Sequence, residues 1–206
     1  GSHASRYVVP VVVLLRDVLG YAETAKEVKL VINNQEVLVN GKRVNEFRFP
    51  VGLFDVFEIK GINEKYIVLF NEFGKLKLVP AKDNTLYLKV KGKKLTKGGK
   101  YQLNFMNGFN LFVDEKTFKT VKVDDTILYD YGKKKVGSVL SLKEGAYVYI
   151  YDGKFKGQFG VIKAFEHHNG LTEDVAQIEI NSEVHSTAKE YCYVVGSKKE
   201  DLKKFE

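Results

Sequence analysis

Short strand-like runs separated by turn residues make up most of the sequence from Glu36 onward, and this alternation limits what the chain can fold into. The first unit consists of residues 37–39, Asn40-Gly41 and residues 42–44. Asn-Gly between two such runs is a strong signal for a β-hairpin because both residues accept positive φ. Further strands are predicted at residues 66–70, 76–79, 86–91, 101–105, 110–113, 126–129, 146–151, 160–165, 175–180 and 191–195. Many short strands at this spacing predict small barrels or sandwiches, so the fold class is mainly β.

Two short helices are predicted before the first hairpin. Residues 8–19 are apolar, with Pro10 near the start and Gly20 after the end, where helix start and stop signals belong. In the second helix, Thr24 and Glu27 form a capping box, in which the threonine hydroxyl accepts from the Glu27 amide and the glutamate side chain reaches back. The apolar stripe of this helix consists of Val28, Val31 and Ile32. We therefore expect a small α+β domain at the N-terminus.

The basic residues are concentrated in the middle of the chain. The net charge is +7, and residues 60–140 carry 17 lysines against 8 carboxylates, whereas residues 1–59 carry 7 basic and 7 acidic residues and residues 141–206 carry 9 and 11. A segment this basic suits a polyanion such as a nucleic acid, and the alternative is a solvated lysine-rich loop. The densest cluster consists of Lys89, Lys91, Lys93, Lys94, Lys97 and Lys100.

Residues that could carry out chemistry are few. Cys192 is the only cysteine, which fits a reducing compartment, and the longest apolar run is far shorter than a membrane span, so we expect a soluble cytoplasmic protein. His167 and His168 stand beside Asn169-Gly170 without further metal ligands, which indicates an exposed hairpin tip. The sequence contains no nucleophile with a marked partner base, no P-loop and no dinucleotide fingerprint. We therefore expect no enzyme activity, no cofactor and no metal site.

The predicted helices and hairpin would form a concave face for RNA phosphates. The basic side chains on that face would be Arg16, Lys26, Lys29, Lys42 and Arg43, and the second helix, capped by Thr24, would offer its N-terminal amides. The order "RDVLGYAETAKEVKLVINNQEVLVNGKRV" followed by "FPVGLFDVFEI" resembles the αL RNA-binding domain of ribosomal proteins, pseudouridine synthases and some tRNA synthetases. The resemblance implies that this face contacts RNA.

A second motif occupies residues 142–162, "LKEGAYVYIYDGKFKGQFGVI", and resembles the KOW motif, in which two strands flank a basic loop. Glycine is needed where the loop backbone takes positive φ or approaches another backbone closely. The resemblance implies an SH3-like barrel with Gly157 in its loop and with Lys154 and Lys156 facing phosphate. The alternative is a plain β-hairpin with a lysine-bearing loop.

Both motifs occur in a fixed order, joined by a basic β segment that contains "VKVDDTILYD". Together they resemble the e-type family of small-subunit ribosomal protein four, found in archaea and eukaryotes, over residues 7–196. The resemblance implies a structural constituent of the small ribosomal subunit, with rRNA and neighbouring ribosomal proteins as partners, that is monomeric outside the ribosome. Such proteins usually begin with a strongly basic extension, and Gly1-Ser2-His3 resembles an expression-tag remnant, so we expect the natural N-terminus to be longer.

The predicted organisation is an αL-type RNA-binding domain at residues 5–59, a central basic β-barrel-like domain at 60–140, a KOW SH3-like domain at 141–197 and a charged tail at 198–206. The alternative function is a KOW-containing transcription or translation factor that binds a protein partner, but the central lysine cluster favours nucleic acid. An RNA-modifying enzyme would need a catalytic domain that the remaining segments are too short to supply. The predicted RNA-binding residues are Arg16, Thr24, Lys26, Lys29, Lys42, Arg43, Lys89, Lys91, Lys93, Lys94, Lys97, Lys100, Lys154, Lys156 and Gly157.

Overall fold

The computed structural model of the protein describes residues 7–166 and 174–205. Its strands form three five-stranded sheets and one two-stranded pair, and all of the strand pairs are antiparallel. The predicted fold class, mainly β with a small helical region near the N-terminus, is confirmed. The predicted hairpin tip at His167, His168 and Asn169-Gly170 lies outside the described residues.

The N-terminal module, residues 7–80, combines two helical segments with the first sheet, whose strand order is β3-β2-β5-β6-β7. Its elements are β1 (Val8–Pro10), α1 (Val11–Val13) with a π-helical continuation (Leu14–Val18), α2 (Ala25–Gln35), β2 (Val37–Val39), β3 (Lys42–Arg43), β4 (Pro50–Gly52), β5 (Val56–Ile59), a 3₁₀ turn (Lys60–Ile62), β6 (Glu64–Phe70) and β7 (Leu76–Pro80). Asn40 and Gly41 have φ values of 53° and 74°, so the predicted hairpin between β2 and β3 is confirmed.

The first helix is shorter than its apolar run, which corrects the prediction for residues 8–19. Val8 and Val9 belong to β1 and pair with β4, and the helix begins only at Val11. Pro10 has φ −68° and ψ 148°, an extended conformation in which its fixed φ and missing N–H are tolerated at a helix start. The strand partner lies far along the chain, and apolar periodicity cannot reveal such a pairing.

The first sheet also extends beyond the domain boundary predicted at residue 60. In the β5–β6 pair, Val56 lies opposite Ile67 and Ile59 lies opposite Glu64. The predicted boundary therefore falls inside a hairpin, and the sheet continues to Pro80 at the end of β7. The basic segment predicted as one central domain thus contributes its first strands to the N-terminal module.

The central module, residues 85–140, is a sheet with the order β10-β9-β8-β11-β12. Its elements are β8 (Thr85–Leu95), β9 (Tyr101–Phe105), β10 (Asn110–Val113), α3 (Glu115–Thr120), β11 (Thr126–Asp130) and β12 (Lys135–Leu140). The first half of β8 pairs with β11 and its second half with β9, and the register shifts between Val90 and Gly92. Helix α3 is not among the predicted elements, and it begins after Asp114, whose side chain caps it by accepting from the Thr117 amide at 3.4 Å.

The C-terminal module has the sheet order β16-β15-β14-β13-β17. Its elements are β13 (Tyr147–Ile150), β14 (Phe159–Glu166), β15 (Val175–Ile180), β16 (Glu183–Ala188), a 3₁₀ turn (Lys189–Tyr191), β17 (Cys192–Gly196) and a second 3₁₀ segment (Lys199–Lys204). Phe205 is only 1% exposed, and its carbonyl accepts from the Lys77 amine at 3.2 Å. The segment predicted as a charged tail is therefore anchored to the fold by its last described residue.

One apolar core joins all three modules, in addition to smaller cores within the N-terminal and C-terminal modules. Phe54 of the N-terminal module lies at its centre and is 2% exposed. The centroid of its ring lies 4.2–5.9 Å from the ring centroids of Tyr87, Tyr149, Tyr193 and Phe205. Aromatic pairs in this distance range contribute about 0.5–1.5 kcal/mol each beyond their buried area. We call these five residues the aromatic hub.

Tyrosine hydroxyls of the hub tie the C-terminal module to the backbone of the other two. The Tyr193 hydroxyl donates to the Tyr87 carbonyl at 2.6 Å and accepts from the Lys89 amide at 3.0 Å. The Tyr149 hydroxyl donates to the Phe70 carbonyl at 2.7 Å. Each buried phenol is thereby satisfied by a backbone group of a neighbouring module, as buried polar groups require.

The loop between β13 and β14 approaches the N-terminal module backbone to backbone. Gly157 has φ +84°, and a Cβ atom placed on it would lie 2.2 Å from the carbonyl carbon of Asn71 and 2.3 Å from the amide nitrogen of Glu72. No side chain fits in that space without moving one module relative to the other. The positive φ predicted for Gly157 is present, but the backbone of the neighbouring module restricts the side chain at this position more strongly than φ does.

We expect Gly157→Ala to destabilise the protein much more than Gly145→Ala. Gly145 also has positive φ, +79°, but a Cβ there meets nothing within 4 Å, so its replacement costs only the left-handed backbone term of about 1–2 kcal/mol. The Gly157 variant adds an overpacking term of about 1–3 kcal/mol. Denaturant unfolding of both variants measures the difference. Gly157→Asn should fail like alanine although asparagine tolerates left-handed φ, and equal losses at the two glycines would contradict the close approach.

Candidate nucleic-acid interface

The exposed cations of the described residues fall into two classes. Members of the first class pair with a carboxylate at 2.5–3.8 Å and include Arg16, Lys60, Lys119, Lys163 and Lys204. Members of the second class have no carboxylate partner within residues 7–166 and 174–205 and include Lys26, Lys29, Lys42, Arg43, Lys91, Lys94, Lys97, Lys100, Lys133, Lys134, Lys135 and Lys154. An unpaired surface cation can meet a phosphate without first breaking an ion pair, so the second class defines the candidate interface.

Cations from two modules meet at the tip of the β2–β3 hairpin. A Cβ atom on Gly41 would lie 2.4 Å from the ring of Tyr131, so the hairpin tip packs against the start of the β11–β12 turn. The Lys42 amine lies 5.4 Å from the centre of the Phe109 ring in the β9–β10 turn. We call the cations around this contact the hairpin corner: Lys42, Arg43, Lys133, Lys134 and Lys135.

Three consecutive lysines where the β11–β12 turn leads into β12 are not among the predicted RNA-binding residues. Lys133, Lys134 and Lys135 form the only run of three consecutive lysines in the sequence. All three are exposed. A run of like charges in a tight turn was an available signal, but its nearness to Lys42 and Arg43 depends on the packing of two modules.

The predicted site around the second helix is partly neutralised by its own carboxylates. Thr24 caps α2 by accepting from the Glu27 amide at 3.3 Å, and the Glu27 carboxylate accepts from the Glu23 amide at 2.8 Å. The hydrogen bond from the Glu23 amide makes the largest contribution to lowering the pKa of the Glu27 carboxyl. Arg16 is held by Asp17 through two bonds of 2.6 and 2.9 Å. Negative charge therefore occupies the helix end that was predicted to receive phosphate.

The predicted lysine cluster on β8 divides into outward and inward side chains. Lys91 lies at the register shift and is exposed, as are Lys94, Lys97 and Lys100 beyond it. Lys93 turns inward instead: its amine donates to the Val121 carbonyl at 2.6 Å and lies 4.5 Å from the centre of the Phe118 ring. Lys93 thus fastens the end of α3 to the sheet and is not displayed to a partner.

Lys89 lies inside the protein, 4% exposed, at the boundary between the central and C-terminal modules. Its amine donates to the carbonyls of Glu190 at 2.5 Å and Cys192 at 2.7 Å, and lies 3.2 Å from the Asp124 carboxylate. Burial lowers the pKa of the Lys89 amine, and Asp124 opposes that shift. Lys89 was predicted to bind RNA, but its burial and its bonds to neighbouring carbonyls indicate a structural role. We therefore do not include Lys89 among the proposed RNA contacts.

In the basic loop of the C-terminal module, Lys154 points to solvent, whereas Lys156 and Gly157 contact the N-terminal module. Lys154 is exposed, with its amine 5.5 Å from the centre of the Phe155 ring, which stacks on His185 at a centroid distance of 4.4 Å. The Lys156 amine lies beside Gly74 of the N-terminal module. Together with Gly157 it belongs to the contact between modules. Of the three loop residues predicted to bind RNA, only Lys154 is fully displayed.

Groups that could support catalysis are not assembled in the described part of the chain. Burial raises the pKa of the Cys192 thiol to about 12, which disfavours the nucleophilic thiolate. Residues 7–166 and 174–205 contain no group of three or more His, Cys, Asp or Glu side chains placed to hold a metal ion. Over the same residues, every helix is too short or too polar to cross a bilayer.

Comparison with known proteins identifies the family. A family model described as ribosomal family S4e matches residues 62–136. Small ribosomal subunit protein eS4 of Archaeoglobus fulgidus is 36% identical over 203 residues, which cover 98% of this chain and 84% of that protein. The eS4 protein of Methanocaldococcus jannaschii is 33% identical over 213 residues, covering 98% and 86%. The chain belongs to the ribosomal S4e family.

A solved structure agrees with this assignment. The crystal structure of the 30S ribosomal protein S4e from Thermoplasma acidophilum matches with a TM-score of 0.77 and 29% sequence identity, covering 94% of this chain and 97% of that one. The family predicted from the αL and KOW resemblances is thereby confirmed. S4e proteins are structural components of the ribosome and not enzymes, which also confirms the predicted lack of catalytic function.

We expect Lys89→Met in this S4e protein to lower stability by about 3 kcal/mol, because it leaves the partly buried Asp124 carboxylate and the carbonyls of Glu190 and Cys192 without their cation. Lys91→Met, on the neighbouring exposed position, should change stability by less than about 0.5 kcal/mol. Thermal unfolding separates the two. The RNA affinity of the folded protein should fall only for the Lys91 variant. A loss of RNA affinity in a Lys89 variant of unchanged stability would instead show that Lys89 contacts RNA.

Proposed function

We propose that this protein is a structural constituent of the small ribosomal subunit that binds rRNA by contacting phosphates from all three modules at once. The observation that carries the proposal is the set of exposed, unpaired cations spread over a body that shares one core. Its relatives named small ribosomal subunit protein eS4 support the same partner. The working location is the cytoplasmic ribosome, where neighbouring small-subunit proteins would cover surfaces that RNA leaves free, and the free protein would be a monomer.

The fixed arrangement of the modules favours binding to folded RNA. Cations on modules joined by flexible linkers would lose conformational freedom on binding, whereas the aromatic hub and the Gly157 contact already hold these modules in place. Linked sites of matching geometry gain roughly 10²–10⁴-fold in affinity over a single site. A rigid body of this kind can bridge several rRNA helices whose relative positions are set by RNA folding.

Phosphate contact, with little base readout, is the recognition mode that fits most of the surface. The hairpin corner and the outer end of β8 offer lysines, which act as point charges on flexible stems. Side chains cannot read the deep, narrow major groove of double-stranded RNA, so duplex segments are recognised by backbone and shape. We therefore expect weak sequence preference on duplex RNA and strong dependence on salt.

The first test of this proposal is a salt titration of the full chain with structured small-subunit rRNA fragments. If each of the five cations of the hairpin corner meets one phosphate, the slope of log K against log salt should be about −4 or steeper. Fluorescence anisotropy at several salt concentrations gives the slope. Salt-independent binding, or no binding at low salt, would contradict phosphate recognition.

A matched pair of triple variants tests which cations take part. Replacing Lys133, Lys134 and Lys135 by Gln should make the slope of log K against log salt shallower by about 2 to 3 units, because three unpaired cations are lost. The control replaces Lys60, Lys119 and Lys163 by Gln, which changes the formal charge equally but removes cations already paired with carboxylates. Its slope should change by less than about 1 unit. Equal changes in both variants would mean that net charge alone, and not the hairpin corner, governs binding.

A further inference from the structure

One face of the central sheet is open to solvent and carries an unusual set of side chains. Strand register places Lys94, Gln102 and Phe112 in one row across β8, β9 and β10, and places Gly92, Asn104 and Asn110 in the next row. Directly opposite residues share a face, so the six positions form one surface, which we call the outer face. Phe112 on this face is 62% exposed, and its neighbours in the strand register are polar.

The opposite face of the same strands packs against the core and against α3. Leu103 is fully buried, and Tyr101 packs against Phe118 of α3 with a centroid distance of 4.9 Å. The alternation along β9 and β10 therefore sends one set of side chains towards the core and leaves the other set, including Phe112, on the outer face. A single exposed ring is common on a protein surface, so its functional meaning depends on the groups that lie beside it.

The amide side chains beside the ring can offer hydrogen bonds to a ligand. The Gln102 amide donates to Asn104 Oδ1 at 2.6 Å. Within residues 7–166 and 174–205, the side-chain oxygen of Gln102 and the side-chain nitrogen of Asn104 take part in no other hydrogen bond, which leaves one acceptor and one donor side by side. Gly92 adds no side chain to the second row, so these amides are not covered from that side.

The charge of the outer face is positive. Among its six positions, Lys94 is the only charged residue, and the Lys100 amine lies 5.6 Å from the centre of the Phe112 ring. Lys97 is exposed in the turn that connects β8 to β9. The outer face thus combines an aromatic ring, amide side chains and nearby lysines, with no carboxylate among its six positions. These groups suit the three parts of a nucleotide, since a base stacks on a ring, a base edge bonds to amides and a phosphate attracts lysines.

We propose that the outer face binds an unpaired nucleotide of single-stranded RNA, with its base stacked on Phe112, its edge on the Gln102 and Asn104 amides, and its phosphate on Lys94 or Lys100. The inference rests on the proposed rRNA binding and specifies that this face reads unpaired bases, while the hairpin corner meets phosphates. A protein partner is the less suitable occupant, because the face has one apolar side chain surrounded by polar ones and lacks the apolar centre of a stable protein interface.

The sequence makes a direct test possible because it contains no tryptophan. Phe112→Trp introduces a single indole on the outer face, and Phe73→Trp introduces one at another exposed phenylalanine, 77% exposed, in the turn between β6 and β7. The probe is a short single-stranded oligouridylate and the same oligomer with abasic sites. Stacking of a base on an indole quenches its fluorescence.

We expect the oligomer to quench the Phe112→Trp variant strongly, the abasic oligomer to quench it weakly, and neither to quench the Phe73→Trp variant. An unquenched Phe112→Trp variant that still binds structured rRNA fragments would overturn this inference while leaving the proposed function intact. Failure of the same protein to bind any RNA at low salt would overturn both. Equal quenching by the intact and abasic oligomers would indicate phosphate contact only and would also overturn the stacking proposal.

Affinity measurements with the full chain provide a second readout. Phe112→Ala should weaken binding to an RNA hairpin with an unpaired loop by roughly tenfold or more, and should leave binding to a blunt duplex unchanged. Phe112→Tyr, which keeps the ring, should restore loop binding. Phe73→Ala is the matched control and should affect neither RNA. Equal losses on loop and duplex, or no loss on either, would contradict a base-stacking site at Phe112.

Discussion

The arrangement of the whole molecule depends on the burial of Phe54 between three modules. Phe54 has φ +60°, a conformation that bulky residues rarely adopt, so its loop must be held firmly. Asp55 holds it by accepting from the Gly52 amide and from the Asn40 side chain, both at 2.8 Å. Asn40 in turn accepts from the Val56 amide at 2.8 Å. The hairpin turn that displays Lys42 and Arg43 thus also positions the ring around which the other modules pack.

The core between modules explains why a charge cluster cannot be interpreted residue by residue. Lys89, Lys93 and Lys94 look alike in the sequence, but their side chains have different surroundings. Lys89 is buried between the central and C-terminal modules, where it donates to the Cys192 carbonyl. Lys93 donates to the Val121 carbonyl at the end of α3, whereas Lys94 is exposed on the outer face. Their different roles follow from the direction in which each side chain leaves β8 and from what packs there. The candidate interface is therefore the subset of cations that folding leaves exposed and unpaired, and it includes lysines far along the chain from the cluster.

Local chemistry carried most of what the sequence could predict. The Asn40-Gly41 hairpin, the Thr24 cap and the positive φ of Gly157 depend on a few adjacent residues, and each is present. Strand β1, the continuation of the first sheet to Pro80 and the burial of Lys89 depend on partners distant in the chain, which periodicity and composition do not encode. The resemblance to known proteins supplied the family, which the comparisons confirm. It could not supply the mutual packing of the modules, on which the positions of the site residues depend.

The central claim is that the three modules form one cooperative body, and native-state hydrogen exchange tests it most directly. Amides in β2, β9 and β15 report on the N-terminal, central and C-terminal modules. As denaturant is raised, the opening free energies of the most protected amides in all three should converge on the same global unfolding line. If the C-terminal amides instead opened at a clearly lower free energy while the other two modules stayed protected, the modules would be separate units joined in series, and the account would be contradicted.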